Sequence, residues 1–292
     1  MIGDVDLFVG VDWSGARGSR LKSLRVAVCA EGREAPRLVP GPISGDWSRM
    51  GFLDWLIAQL KGGRRVVCGL DFSFCFPYCD HGSYFPMIKS APKSAEGFWS
   101  EVETVCAVDP DLFGGAVCDD PRYAAYFRSR GRLGPYFERR LRATETACQT
   151  QGLGVPESVF NMVGPRQVGK SSLAGMRFLR ALKAAQSNVA VWPFDRLDSA
   201  ACIILETFPT AFVRLAGQGP GKLRESSRLN GTLAHFDSDS YRSGSAFPSD
   251  DETDAIVTAA ALRNLTRRQA LWNPGALSDR VRRYEGWTFG VA

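Results

Sequence analysis

The stretch Val9-Gly10-Val11-Asp12-Trp13-Ser14-Gly15-Ala16 decides how this chain is read. Phe8, Val9 and Val11 predict a short buried strand, and Gly15 with Gly18 ends it. Asp12 therefore falls inside or at the end of an apolar strand, where a carboxylate without a cation, a donor or a metal is costly. The construction recurs at Val66-Val67-Cys68-Gly69-Leu70-Asp71 and at Cys202-Ile203-Ile204-Leu205-Glu206. A further group of acids, Asp250, Asp251, Glu252 and Asp254, opens an apolar helical stretch. These positions predict that Asp12, Asp71, Glu206 and the Asp251/Asp254 pair converge on a divalent metal.

Working outward, residues 6–13, 24–30 and 37–39 read as three strands with short links, hence an antiparallel meander. Met50, Leu53, Leu56, Ile57 and Leu60 keep a helical spacing, and Gly62-Gly63 supplies a stop. Residues 65–71 are apolar almost throughout, as in a strand covered on both faces. Residues 73–157 are rich in proline, glycine and aromatics and read as a largely helical insertion, with its clearest helix at 136–149. Beyond it come a short strand at 158–163, a helix at 171–186 and a strand at 201–206. A polar loop or lid follows at 216–250, then a helix at 251–265. Alternating apolar strands and helices predict one α/β domain over 1–292: a mixed sheet, antiparallel then parallel, with helices on both faces.

The bulk composition is ordinary for a soluble globular protein: 292 residues, 45% hydrophobic and 23% charged. A net charge of +5, from 36 basic and 31 acidic residues, is compatible with an anionic partner without arguing for one. No apolar run has the length of a membrane helix, so no membrane partner is expected. The start of the chain lacks a signal-peptide pattern, and the eight cysteines are scattered. The expectation is a cytoplasmic protein with reduced thiols.

The order β-β-β-α-β-α-β-α, with acids ending the first and fourth strands, resembles the RNase H fold. Asp251-Glu252-Thr253-Asp254-Ala255 is similar to the DxxDA helix of Holliday-junction resolvase-type members. More narrowly, the chain resembles domain of unknown function family 429, regarded as nucleases of this fold. The pieces that carry the likeness are Gly10-Val11-Asp12, Gly69-Leu70-Asp71, Arg142-Ala-Thr-Glu145, Val163-Gly-Pro-Arg-Gln-Val-Gly169, Val191-Trp-Pro-Phe194, Glu206-Thr-Phe-Pro209, Asp254-Ala255 and Glu285-Gly-Trp287. Each piece is short; their order carries the specificity. The resemblance implies a phosphodiesterase in which Asp12, Asp71 and Asp254 hold Mg2+ or Mn2+. Glu206 or Asp251 would orient the water or bind a second ion. Hard carboxylate oxygens suit such ions, and two ions roughly 3.5–4 Å apart activate the water and stabilise the leaving oxygen. Each acid also has a plain structural reading: Asp12 in a turn, Asp251 as an N-cap, Asp254 in a first helical turn.

Gly164-Pro-Arg-Gln-Val-Gly169-Lys170-Ser171 matches GxxxxGK[ST] in full, so a P-loop nucleotide hydrolase or kinase is the first alternative. Arg166 and Lys170 at a helix start would attract phosphate on either reading. Arginines from Arg122 to Arg142, Arg128 and Arg130 among them, interleave with Tyr123, Tyr126, Phe127, Tyr136 and Phe137. That pattern suits a surface tracking nucleic acid, so a non-catalytic nucleic-acid-binding protein is the second alternative. Cys75, Cys79 and His81 lack a second ligand pair and read as packing rather than zinc. Only two histidines and no GxSxG argue against a serine hydrolase.

Overall fold

The pleat of the first strand sorts the core into two layers. In β1 (Leu7–Asp12), Leu7, Val9 and Val11 enter one apolar cluster and Phe8 enters the other. The computed structural model describes residues 4–129, 131–164, 167–242, 244 and 246–292. β1 pairs antiparallel with β2 (Arg25–Cys29), and β2 with β3 (Arg37–Leu38). β4 (Val66–Leu70) joins β1 in parallel, and β8 (Cys202–Glu206) joins β4 in parallel. The sheet order is β3-β2-β1-β4-β8-β7, with β7 (Val189–Val191) at the edge.

The first layer holds α1 (Arg49–Lys61) and α4 (Gly169–Ala185), through Phe52, Leu53 and Leu56 and through Leu173, Met176 and Leu179. The second holds α5 (Pro209–Leu215), α6 (Ser226–His235) and α7 (Asp250–Leu265). This is an RNase H-like α/β fold, antiparallel strands followed by parallel ones with helices on both faces. Between β4 and α4 lie α2 (Ala95–Val105), the small hairpin β5 (Arg128–Ser129) and β6 (Arg132–Leu133), and α3 (Ala143–Thr150). Irregular chain joins them, held by aromatic contacts such as Phe76 on Phe98, Phe127 and Phe160. α8 (Asp279–Tyr284) precedes the buried tail residues Trp287, Phe289 and Val291.

Helix α7 positions the site. Ser249 and Glu252 form a reciprocal capping box at its start, and every residue from Ala255 to Arg263 is buried. It lies on β1 at Gly10, where an added Cβ would fall 2.2 Å from the Ala255 carbonyl oxygen and 2.5 Å from the Ala259 nitrogen. Only a residue without a side chain permits that approach. Gly10→Ala is therefore expected to cost about 1–3 kcal/mol or more by overpacking, read as a lower urea midpoint; an unchanged midpoint would refute this close contact.

Three expectations need correcting, and one strand was missed. The helix expected at 136–149 begins only at Ala143, because Arg142 serves as its N-cap and turns its guanidinium inward. Residues 158–163 form no strand; Asn161 makes one isolated bridge to Arg128. The segment 216–250 contains α6, whose Leu229 and Leu233 are buried one helical turn apart. The edge strand β7 was unforeseen, being only three residues long. Among the described residues no helix is long and apolar enough to cross a membrane.

Candidate metal centre

Parallel register places two of the acids side by side. Val11 of β1 lies opposite Leu70 of β4, so Asp12 and Asp71 emerge together at the carboxyl ends of neighbouring strands. The Asp71 amide donates to the Val11 carbonyl at 3.2 Å. The seating of α7 on Gly10 brings its first turns, with Asp251 and Asp254, over the same strand ends. All four acids line one cleft of about 460 Å³. Ligand crevices of open α/β sheets form at this end of the strands.

The acids are too many for the cations near them. Burial first, then the charges of Asp71, Asp254 and Asp251, hold the Asp12 carboxyl well above the usual carboxylate range. Burial, and next the charge of Asp254, push Asp71 up to about 8, with Lys222 opposing. Asp254 is raised mainly by burial, with Lys222 pulling it back.

Lys222 was not anticipated. Its Nζ donates to Asp254 Oδ2 at 2.7 Å. The Arg228 guanidinium clips its loop, donating to the carbonyls of Gly219 at 2.9 Å and of Lys222 at 3.0 Å. Buried Leu223 anchors the next residue. No spacing in the sequence marks this lysine; it follows Gly219-Pro220-Gly221 in a polar segment, and only the fold turns it to the acids.

Glu206 reaches the same cleft, yet its carboxylate is already committed. Arg142 donates to it from both terminal nitrogens, at 2.8 and 2.5 Å, Thr288 Oγ1 donates at 2.7 Å and the Phe74 amide at 2.8 Å. Arg142 also donates to Glu145 Oε1, at 2.8 and 2.6 Å. Nearby, the Glu285 carboxylate accepts from the amides of Tyr78, Cys79 and Ala143. The pieces around Arg142, Glu206 and Glu285 thus meet as one buried polar network, and Glu206 forms a fixed wall rather than a free ligand.

No match to the chain was found among known protein families, curated proteins or solved structures. The site must be read from its own chemistry. Its donors are hard carboxylate oxygens, the set that Mg2+ and Mn2+ take, and their mutual repulsion is what a divalent cation relieves. Among the described residues, however, no three His, Cys, Asp or Glu side chains already close on one ion. The fit is one of donor chemistry and charge, with Lys222 supplying the compensating cation at Asp254.

Among the described residues no strand runs up to the GxxxxGK[ST] match, the Gly169 amide is spent on the Asn161 carbonyl at 3.3 Å, and the Ser171 hydroxyl donates to the Val168 carbonyl at 2.8 Å, none of which suits a phosphate loop. Gly15 packs against the first turn of α4, where its Cβ would fall 2.5 Å from the Ser171 nitrogen. Arg166 and Arg130 lie outside the described residues. Arg128 is exposed on β5. The arginine–aromatic stretch is mostly interior or paired. Arg140 is held by Asp80, Arg139 by Glu157 and Arg122 by Asp120 and Glu101, while Tyr123, Tyr126 and Phe127 are buried. Burial pushes the Cys75 and Cys79 thiols up to about 12.

Proposed function

We propose that this chain is a metal-dependent phosphodiester hydrolase of the nuclease class, with Asp12, Asp71 and Asp254 holding Mg2+ or Mn2+. The observation that carries the reading is the convergence of Asp12, Asp71, Asp251 and Asp254, from two strand ends and one helix, with Lys222 their nearest opposing charge. Such a metal supplies an activated water and neutralises charge on a phosphate. Lys222, beside Asp254, would bind a phosphate oxygen. Asp251, beside the cluster, would orient the attacking water. The Arg142–Glu206 pair keeps the end of β8 rigid beneath them. All eight cysteines are free, which supports a reducing, cytoplasmic setting.

Calorimetric titration with MnCl2 tests this reading. At pH 7 the wild type is expected to bind with release of protons from the raised acids. Asp254→Asn is expected to lose binding, and Lys222→Ala to bind about tenfold tighter, because a competing cation worth roughly 1.4 kcal/mol has been removed. Absence of binding by the wild type at millimolar manganese, or binding indifferent to Asp254, would refute the metal site.

A further inference from the structure

A second cavity, of about 520 Å³, adjoins the carboxylate cleft. Gln167, just before α4, lines both. Arg17, in the loop that leaves β1 after Asp12, and Lys170, in the first turn of α4, line this second space. Most basic side chains around the cleft are spent on carboxylates or carbonyls, as Arg140, Arg142, Arg177 and Lys222 show. Arg17 and Lys170 have no carboxylate within ion-pair distance among the described residues; Arg17 only rests over the Phe113 ring, 5.8 Å from its centroid. Ser129 lines the same cavity, is 8% exposed, and its hydroxyl has no hydrogen-bond partner among the described residues. Of the acids on this wall, Asp120 is tied up by Arg122, Asp109 accepts from the Ala116 amide, and Asp119 is solvent-exposed.

We infer that Arg17, Lys170 and Ser129 form a second phosphate site, which takes a phosphate flanking the scissile one on the same strand. Two cations without an ion-pair partner among the described residues, and the hydroxyl of a largely buried serine, supply what a phosphate monoanion needs, charge and a directed donor. The shared Gln167 sets the two spaces side by side. On this inference the substrate is a polynucleotide, whose successive phosphates would fill both. The identity of the ligand rests on the hydrolase reading; the existence of the anion site does not. Lys170 thereby has a use that needs no phosphate loop.

The test is binding of a fluorescein-labelled single-stranded DNA decamer, followed by anisotropy in EDTA across a salt series. Wild type is expected to bind. Arg17→Ala and Lys170→Ala are each expected to weaken binding about tenfold and to flatten the slope of log K against log salt by about 0.7. Arg196→Ala, removing an exposed arginine that lines neither cavity, controls for net charge and is expected to match the wild type. Ser129→Ala is expected to weaken binding about threefold with the salt slope unchanged, since a hydrogen bond and no charge is lost. Wild-type affinity and slope in Arg17→Ala and Lys170→Ala would overturn the site, as would failure of the wild type to bind or an equal loss in Arg196→Ala. Turnover of the decamer with manganese is measured separately. Binding that depends on Arg17 and Lys170 without any turnover would overturn the hydrolase reading and leave the phosphate site standing.

Discussion

In metal-free buffer at pH 9, Asp71→Asn is expected to melt about 3–5 °C above the wild type. The folded protein holds the Asp71 carboxyl near 8 against an ordinary value of 3.8, chiefly through burial and then the charge of Asp254. A raised carboxyl favours the folded state while it keeps its proton. That contribution is full below about pH 4 and is lost as the pH climbs through 8. At pH 9 the wild type must therefore carry a buried charge facing Asp12 and Asp254. Each unit of displacement corresponds to about 1.4 kcal/mol, and relaxation of the cluster reduces the sum to about 2–3 kcal/mol, still several degrees. Asparagine keeps the shape and removes the charge. At pH 4 the two proteins should melt nearly together. Adding 1 mM manganese, about a thousandfold over a micromolar site, should reverse the order at pH 9 by raising the wild type alone. Melting curves that coincide at both pH values would sink the claim that these acids repel one another.

Arg142→Met is expected to be the most damaging single change to stability. Arg142, Glu145 and Glu206 are 1%, 5% and 3% exposed, and the guanidinium bridges both carboxylates. Removing it strands two buried acids. Breaking a buried pair in this way costs about 3–5 kcal/mol, visible as a large fall in the urea midpoint at pH 7. Lysine at this position is expected to recover only part of the loss. An ammonium cannot reproduce the fork that serves Glu145, Glu206 and the Glu285 carbonyl together. A loss below about 1 kcal/mol, the level of an exposed pair, would show that the network does not hold the floor of the cleft.

How much of the site could be read from the chain depends on the range of the forces involved. Asp12 and Asp71 were legible because an apolar run predicts a buried strand, and the acid that ends it sits where the strand leaves the sheet. Asp251 and Asp254 were legible because three acids after Ser249 announce a helix start, and the capping box at Ser249 and Glu252 is present. α6 escaped notice because glycine and serine flank a helix whose apolar face is only two leucines and a threonine wide. β7 escaped because three residues carry no periodicity. The arginines between Arg122 and Arg142 suggested an outer surface, but a count of charges cannot tell a solvated arginine from one such as Arg140, which is buried on carbonyls and Asp80.

By itself the sequence determined the elements: the apolar strands, the helix opened by its acidic cluster, and hence an α/β sheet with acids at its strand ends. Those features follow from local spacing and from backbone groups a few residues apart. Only the tertiary structure decided which charges answer which. Glu206 went to Arg142 across 64 residues, Lys222 to Asp254 across 32, and Arg17 and Lys170 to the wall of one cavity. A buried ionic group takes whatever partner the packing brings within about 4 Å, and that neighbour is set by how distant segments close on the sheet, which no local pattern encodes.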